Sequence, residues 1–303
     1  MKFLIPALLI SILFTGCLFS KNKKVKTPTK AQIQTTKVPK NIKITKNTNI
    51  TQKALLVGVN DYKDKTYDLM GTQKDVRKIN KLFSSWGFDI DELYGSKSLE
   101  FQDKLLNLAN TLKSDDVLVI YFSGHGSFTK DYNGDEISDN RDEILVFSDG
   151  IQNLYMLDDT IDKILEKIKA RKLIIIDSCY SGTVNRSYTP NAYNKVKFIP
   201  APPNIGDFLD DGIAPTPSFL TAQVSGSTVL LSSCKDNEKS IATKEGSLFT
   251  NSLVKNLNLD KSFDTIHKET LNNVSKYFHP VLSASNPVLK NITIKEYLKI
   301  NTN

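Results

Sequence analysis

Short runs of uninterrupted apolar residues alternate along this chain with stretches whose apolar residues recur every three or four positions. Residues 54–60, 116–122, 173–176 and 229–231 are of the first kind and read as strands, and 88–94, where acids interrupt the apolar residues, suits another. Helical spacing carries Val76, Ile79, Leu82, Phe83 and Trp86 within 73–86, and Phe101, Leu105, Leu108 and Leu112 within 100–112. The same spacing carries Ile161, Ile164, Leu165 and Ile168 within 158–169, and returns at 249–258 and 262–277. Strands with no polar alternation are buried on both faces, and amphipathic helices between them provide the cover. The pattern predicts an α/β fold in three layers, a mostly parallel sheet with helices on both faces.

The pattern fails in two places. Residues 184–226 hold six prolines, at 190, 200, 202, 203, 215 and 217, and no periodic element. A stretch this long inside a compact domain reads as a functional loop or a disordered insert. The other place is the N-terminus. Lys2 followed by an apolar run over 3–14 has the layout of a secretory signal, and residues 18–53 then bring ten lysines with almost no large apolar side chain. That segment predicts an extended, self-repelling tether. A weak alternation at Ile42, Ile44 and Ile50 leaves room for an edge strand. The expected organisation is a leader at 1–17, a basic tether at 18–53 and one domain at 54–303. The domain divides into a larger part, 54–183, the insert, 184–226, and a smaller part, 227–303.

Charge changes the picture only once it is located. The chain of 303 residues has a net charge of +7. Residues 1–53 contain 11 Lys and no acid, which leaves 29 basic and 33 acidic residues, a balance of −4, for the rest. A nucleic-acid partner needs a basic face on the folded domain, so none is expected. Three cysteines exclude a disulfide scaffold, and three histidines, at 125, 267 and 279, argue against a zinc cage.

The candidate chemistry sits where two buried strands end. In an open parallel sheet, ligands bind beyond the carboxyl ends of the strands. One strand runs into Ser123-Gly124-His125-Gly126 and another into Asp177-Ser178-Cys179-Tyr180-Ser181-Gly182. His125 and Cys179 are then a candidate base and thiol nucleophile. Gly126 allows close approach of a substrate carbonyl, whose developing oxyanion the amides of Gly126 and Cys179 are placed to hold. Taken singly, His125 reads equally as a turn histidine and Cys179 as a small buried apolar residue.

Together, Tyr121-Phe122-Ser123-Gly124-His125-Gly126 and the segment around Cys179 resemble the caspase-like cysteine peptidases, in the metacaspase and orthocaspase branch. Residues 58–62, 230–238 and 246–250 resemble further parts of that family, so the likeness covers about 54–258. It implies a caspase-like fold and a cysteine endopeptidase. It also implies a pocket for a basic side chain lined by Asp177, with Asp75 and Ser123 at other pocket positions. Carboxylates at the base of a pocket pair with Arg or Lys and repel Asp. Peptide or protein substrates with Arg or Lys before the scissile bond are the implied partners. For Asp75, a surface charge on an amphipathic helix is the competing reading, and Thr72 stands where the family often has a cysteine.

No cofactor is required for the chemistry, and calcium is an open question. Asp158 and Asp159 match an acidic pair seen in calcium-dependent metacaspases, while Arg186 replaces a further acid; a helix-capping role for the pair competes. The loop 131–142 has oxygen ligands at EF-hand-like offsets, with Glu136 where the tight-turn glycine belongs. Arg186, Lys195 and Lys197 in the insert are candidate self-processing sites, since unstructured chain enters an active site in extended form. Phe14-Thr15-Gly16-Cys17 resembles a lipobox, which implies lipidation at Cys17 and a membrane-anchored place in the cell envelope. In a Gram-negative organism that place is the outer membrane, facing the periplasm. A plain signal peptide is the alternative. Export also raises a Cys179–Cys234 disulfide, set against Cys234 as an apolar strand-end residue. A non-enzymatic interaction lipoprotein and a transpeptidase are the competing functions.

Overall fold

In a computed structural model of the chain, the described residues are 44–45, 50–95, 98–131, 140–180, 194–203, 205, 227–235 and 238–302. The leader with Cys17, most of the tether, Arg186, most of the loop after Asp131 and the rest of the insert lie outside them. The described residues all belong to one compact unit, Ile42–Asn303.

The strands, in chain order, are β1 (Ile44–Thr45), β2 (Gln52–Gly58), β3 (Asp89–Tyr94), β4 (Val117–Ser123), β5 (His125–Lys130), β6 (Arg141–Ser148) and β7 (Asn153–Leu157). They continue as β8 (Arg171–Asp177), β9 (Asn194–Val196), β10 (Thr228–Ser232), β11 (Ile241–Thr243), β12 (Gly246–Ser247), β13 (Val281–Ala284) and β14 (Asn301–Thr302). The helices are α1 (Thr72–Ser85), α2 (Ser98–Thr111), α3 (Asp158–Lys167), α4 (Leu248–Asn256), α5 (Phe263–Val274) and α6 (Ile294–Tyr297).

Six strands form the central sheet in the order β13-β10-β8-β4-β2-β3, all parallel except β13. Successive side chains of a strand point to opposite faces, and every strand of the middle is apolar on both. Leu118, Ile120 and Phe122 of β4 join one core with Phe101 and Leu105 of α2 and Ile161 and Leu165 of α3. Val117, Val119 and Tyr121 face the other way, into a core with Val76, Ile79 and Phe83 of α1, Phe249 of α4 and Phe263 of α5. This is the three-layer arrangement expected from the periodicity. The antiparallel sheet β5-β6-β7 lies outside it, as does the small sheet β12-β11-β9.

Two expected boundaries are corrected. The domain does not start at residue 54. β2 begins at Gln52, the Thr51 amide donates to Asp116 Oδ1 at 2.7 Å, and Ile44–Thr45 pairs with Asn301–Thr302. The pairing at Ile44–Thr45 is the edge strand for which the alternation at Ile42, Ile44 and Ile50 left room. The insert is not uniformly irregular either. Asn194–Val196 pairs antiparallel with β11, and Lys197 and Ile199 are buried.

Ile175 lies wholly buried in β8, between β10 and β4. Ile175→Ala is expected to lower stability by about 3 kcal/mol in urea unfolding. Ile151→Ala, at an exposed position, should stay within about 0.5 kcal/mol. Equal effects would contradict the assigned layers.

Candidate active site

β4 and β8 lie side by side with Ser123 opposite Asp177, so His125 and Cys179 emerge two residues past matched strand ends. Both are buried. Immediately after Ser123 the chain turns out of the central sheet into β5, which places the Gly126 amide beside Cys179. A Cβ on Gly126 would stand 2.2 Å from the Cys179 carbonyl oxygen, so only glycine permits the approach.

The cleft so formed holds a segment of the chain itself. The Lys197 carbonyl oxygen accepts from the Gly126 amide at 3.0 Å and from the Cys179 amide at 3.1 Å. These are the two amides expected to form an oxyanion hole. The Lys197 amide donates to the Ser240 carbonyl at 3.2 Å, continuing the β9–β11 ladder. Beyond Lys197, Phe198 bridges Gly126, and the Ile199 amide donates to the Gly126 carbonyl at 3.1 Å. The segment therefore crosses the cleft extended, with the Lys197–Phe198 peptide at its centre.

The Lys197 side chain fills the pocket predicted to take a basic group. Its Nζ, wholly buried, lies 3.0 Å from Asp177 Oδ1 and donates to Ser123 Oγ at 2.8 Å and to the Asp177 carbonyl at 3.0 Å. Ser123 Oγ in turn donates to Asp75 Oδ2 at 3.3 Å. Asp75 is no surface charge. It lies on the buried stripe of α1 with Thr72, Val76, Ile79 and Phe83, and it accepts from the Ser247 amide at 2.9 and 3.0 Å. Burial raises its pKa to about 6, against the opposing pull of Lys197.

Several partners were not visible in the sequence. Thr250 Oγ1 donates to Asp177 Oδ2 at 2.6 Å and Ser240 Oγ to Asp177 Oδ1 at 3.0 Å, orienting the carboxylate toward the ammonium. The Ser240 amide donates to Cys179 Sγ at 2.7 Å, and the thiol donates to the Ser240 carbonyl at 3.4 Å. His125 Nε2 bonds the Tyr67 carbonyl at 2.7 Å, and the Tyr62 hydroxyl accepts from the His125 amide at 2.8 Å. The carbonyl can only accept, so Nε2 carries the proton and Nδ1, which has no partner, keeps its lone pair. Burial lowers the His125 pKa to about 3, so the ring is neutral. Tyr62 and Thr250 fall inside sequence segments singled out for their resemblance. Tyr67 contributes a backbone group, which leaves no mark on residue type, and Ser240 acts through both its backbone and its hydroxyl.

The remaining expected sites separate. Lys195 is not in the pocket; its ammonium donates to the Thr66 carbonyl at 2.8 Å. Asp158 and Asp159 open α3 as first-turn acids and are buried, and no group of three or more His, Cys, Asp or Glu among the described residues is arranged to hold a metal ion. Cys179 and Cys234 carry free thiols. A hydrogen bond with Cys179, together with burial, pushes the Cys234 thiol well above its ordinary pKa.

The sequence profile of the caspase domain family matches residues 51–296. Metacaspase-3 of Arabidopsis thaliana is 36% identical over 148 residues, 44% of this chain and 40% of that protein. The chain thus spans less than half the length of the curated relatives it first matches. Among solved structures, a Geobacter sulfurreducens protein superposes with TM-score 0.64 at 23% identity, covering 80% of this chain and 97% of that one. Caspase-1 from Spodoptera frugiperda superposes with TM-score 0.53 at 15% identity, covering 78% and 87%. At these identities the two structures establish the fold.

A cation lowers the pKa of Asp75, so by linkage it binds better once Asp75 is ionised. In Lys197→Gly, the peptide Asn-Lys-Val-Lys-amide should bind several-fold tighter at pH 7.5 than at pH 5 by calorimetry. The added substitution Asp75→Asn should remove most of that difference. An unchanged difference would show that Asp75 does not face the cation.

Proposed function

The chain belongs to the caspase domain family, and on that premise we propose that it is a cysteine endopeptidase cutting after Lys or Arg, whose first substrate is its own Lys197–Phe198 bond. The supporting observation is the double fit of Lys197, with its carbonyl on two amides and its ammonium on Asp177. A packing accident would satisfy one end. Satisfying both is what a substrate residue before a scissile bond requires.

The chemistry follows from the same groups. Cys179 sulfur adds to the Lys197 carbonyl carbon, and the oxygen takes negative charge toward the Gly126 and Cys179 amides. His125 Nδ1 is the base for the thiol proton and returns it to the Phe198 nitrogen as the C–N bond breaks. Water, deprotonated by the same imidazole, then cleaves the thioester and restores the thiol. The Tyr67 carbonyl fixes the tautomer and orients the ring throughout.

The apolar leader and Cys17 support export and lipid anchoring in the cell envelope. Among the described residues no helix is long and apolar enough to cross a membrane. Calcium is proposed only as an accessory to activation, and no step above passes through it.

Intact-mass analysis of the purified chain should find cleavage after Lys197 in the wild type and none in Cys179→Ala or His125→Ala. Hydrolysis of added lysine peptides should fall at least about 10³-fold in either variant, because the pair acts as a unit. Each assay is run with calcium and with chelator. Near-wild-type hydrolysis by Cys179→Ala would contradict the assignment. Active wild type with an uncut Lys197–Phe198 bond would remove self-processing from the proposal.

A further inference from the structure

Lys197 accounts for the acyl side of the cleft, but the segment is held as firmly on the side that would leave. Gly126 grips it with both backbone groups: its amide donates to the Lys197 carbonyl, and its carbonyl accepts from the Ile199 amide at 3.1 Å. Strand alternation puts Phe128 on the same side of β5 as Gly126. The Phe128 ring stacks on Phe198 with centroids 5.9 Å apart and planes inclined by 27°. The Arg141 guanidinium lies 4.2 Å from the centroid of the Phe128 ring and braces it. One residue further, Ile199 is 3% exposed and joins the apolar cluster that contains Tyr180, Val146 and Ala242.

We propose that Phe128, braced by Arg141, and the apolar recess occupied by Ile199 are specificity subsites for the leaving-group side, so the enzyme selects Lys followed by an aromatic and then a branched aliphatic residue. This deepens the reading of Lys197–Phe198 as a scissile bond and rests on it. The physical warrant is that stacking and the burial of a branched side chain each favour the bound segment. Binding on that side also aligns the scissile nitrogen with the base that must protonate it. Phe128 acts on substrate directly, and Arg141 acts through Phe128 as a positioning residue.

The test uses the full-length, self-processed chain and two peptides, Asn-Lys-Val-Lys-Phe-Ile-Pro-Ala and the same sequence with Gly-Gly in place of Phe-Ile. Products are identified by mass. The Phe-Ile peptide is expected to have a kcat/KM at least about tenfold higher, both peptides being cut after the second lysine. Phe128→Ala should reduce that ratio to about twofold or less, while Phe128→Tyr should keep it. Equal rates for the two peptides in the wild type would overturn the proposal without reference to any variant, and so would a ratio that survives Phe128→Ala. Cleavage of the Gly-Gly peptide after lysine at an equal rate would leave the lysine specificity standing and remove only the subsites. Failure to cut either peptide after lysine would remove the underlying reading and the proposal with it.

Discussion

Everything about this active site depends on two carboxylates buried where water cannot compensate them. Asp177 and Asp75 are both fully enclosed, and a buried charge is tolerated only when paired and hydrogen-bonded. Thr250, Ser240 and the Ser247 amide supply hydrogen bonds, and among the described residues Lys197 supplies the opposite charge within contact distance of Asp177. Breaking a buried pair by removing one partner typically costs about 3–5 kcal/mol. The pocket therefore demands a cation. In this chain Lys197 supplies it.

Backbone geometry converts that demand into a placed peptide bond. The ammonium fixes one end of the lysine and the amides of Gly126 and Cys179 fix the other. Both amides exist at the right point because β4 and β8 end in register and because residue 126 has no Cβ. The flanking residues are drawn into line by β11 on one side and by the Gly126 carbonyl on the other. The neutral His125 is held by the Tyr62 hydroxyl and the Tyr67 carbonyl, and it also lies beside the Lys197 backbone.

The central sheet was legible because its strands are apolar on both faces, a signal that survives without knowledge of the tertiary structure. The ends of β4 and β8, and with them His125 and Cys179, followed from the rule that ligands gather beyond parallel strand ends. The β5-β6-β7 sheet and the antiparallel β13 were missed. Ser127 and Thr129 of β5 are polar although buried or nearly so, and β13 is only four residues long. Lys197 was recognised as basic chain near the nucleophile, while its burial was not. Lysine is ordinarily a surface residue, and only the two carboxylates waiting for it reverse that preference. Asp75 was ambiguous for the same reason: helical spacing puts it on the buried stripe, and its charge argued for solvent.

The claim that a buried pair of carboxylates selects the cleaved residue is tested most directly by varying that residue alone. In the peptide Asn-Lys-Val-Lys-Phe-Ile-Pro-Ala, the second lysine is replaced by Arg, Gln or Asp, and kcat/KM for cleavage at that position is measured on the processed wild type and on Asp177→Asn. The account predicts that Lys and Arg exceed Gln by at least about 100-fold in the wild type, that Asp is not cut, and that most of the preference disappears in Asp177→Asn. Cleavage of the Gln or Asp peptide at rates comparable with Lys, or a preference unchanged in Asp177→Asn, would contradict it.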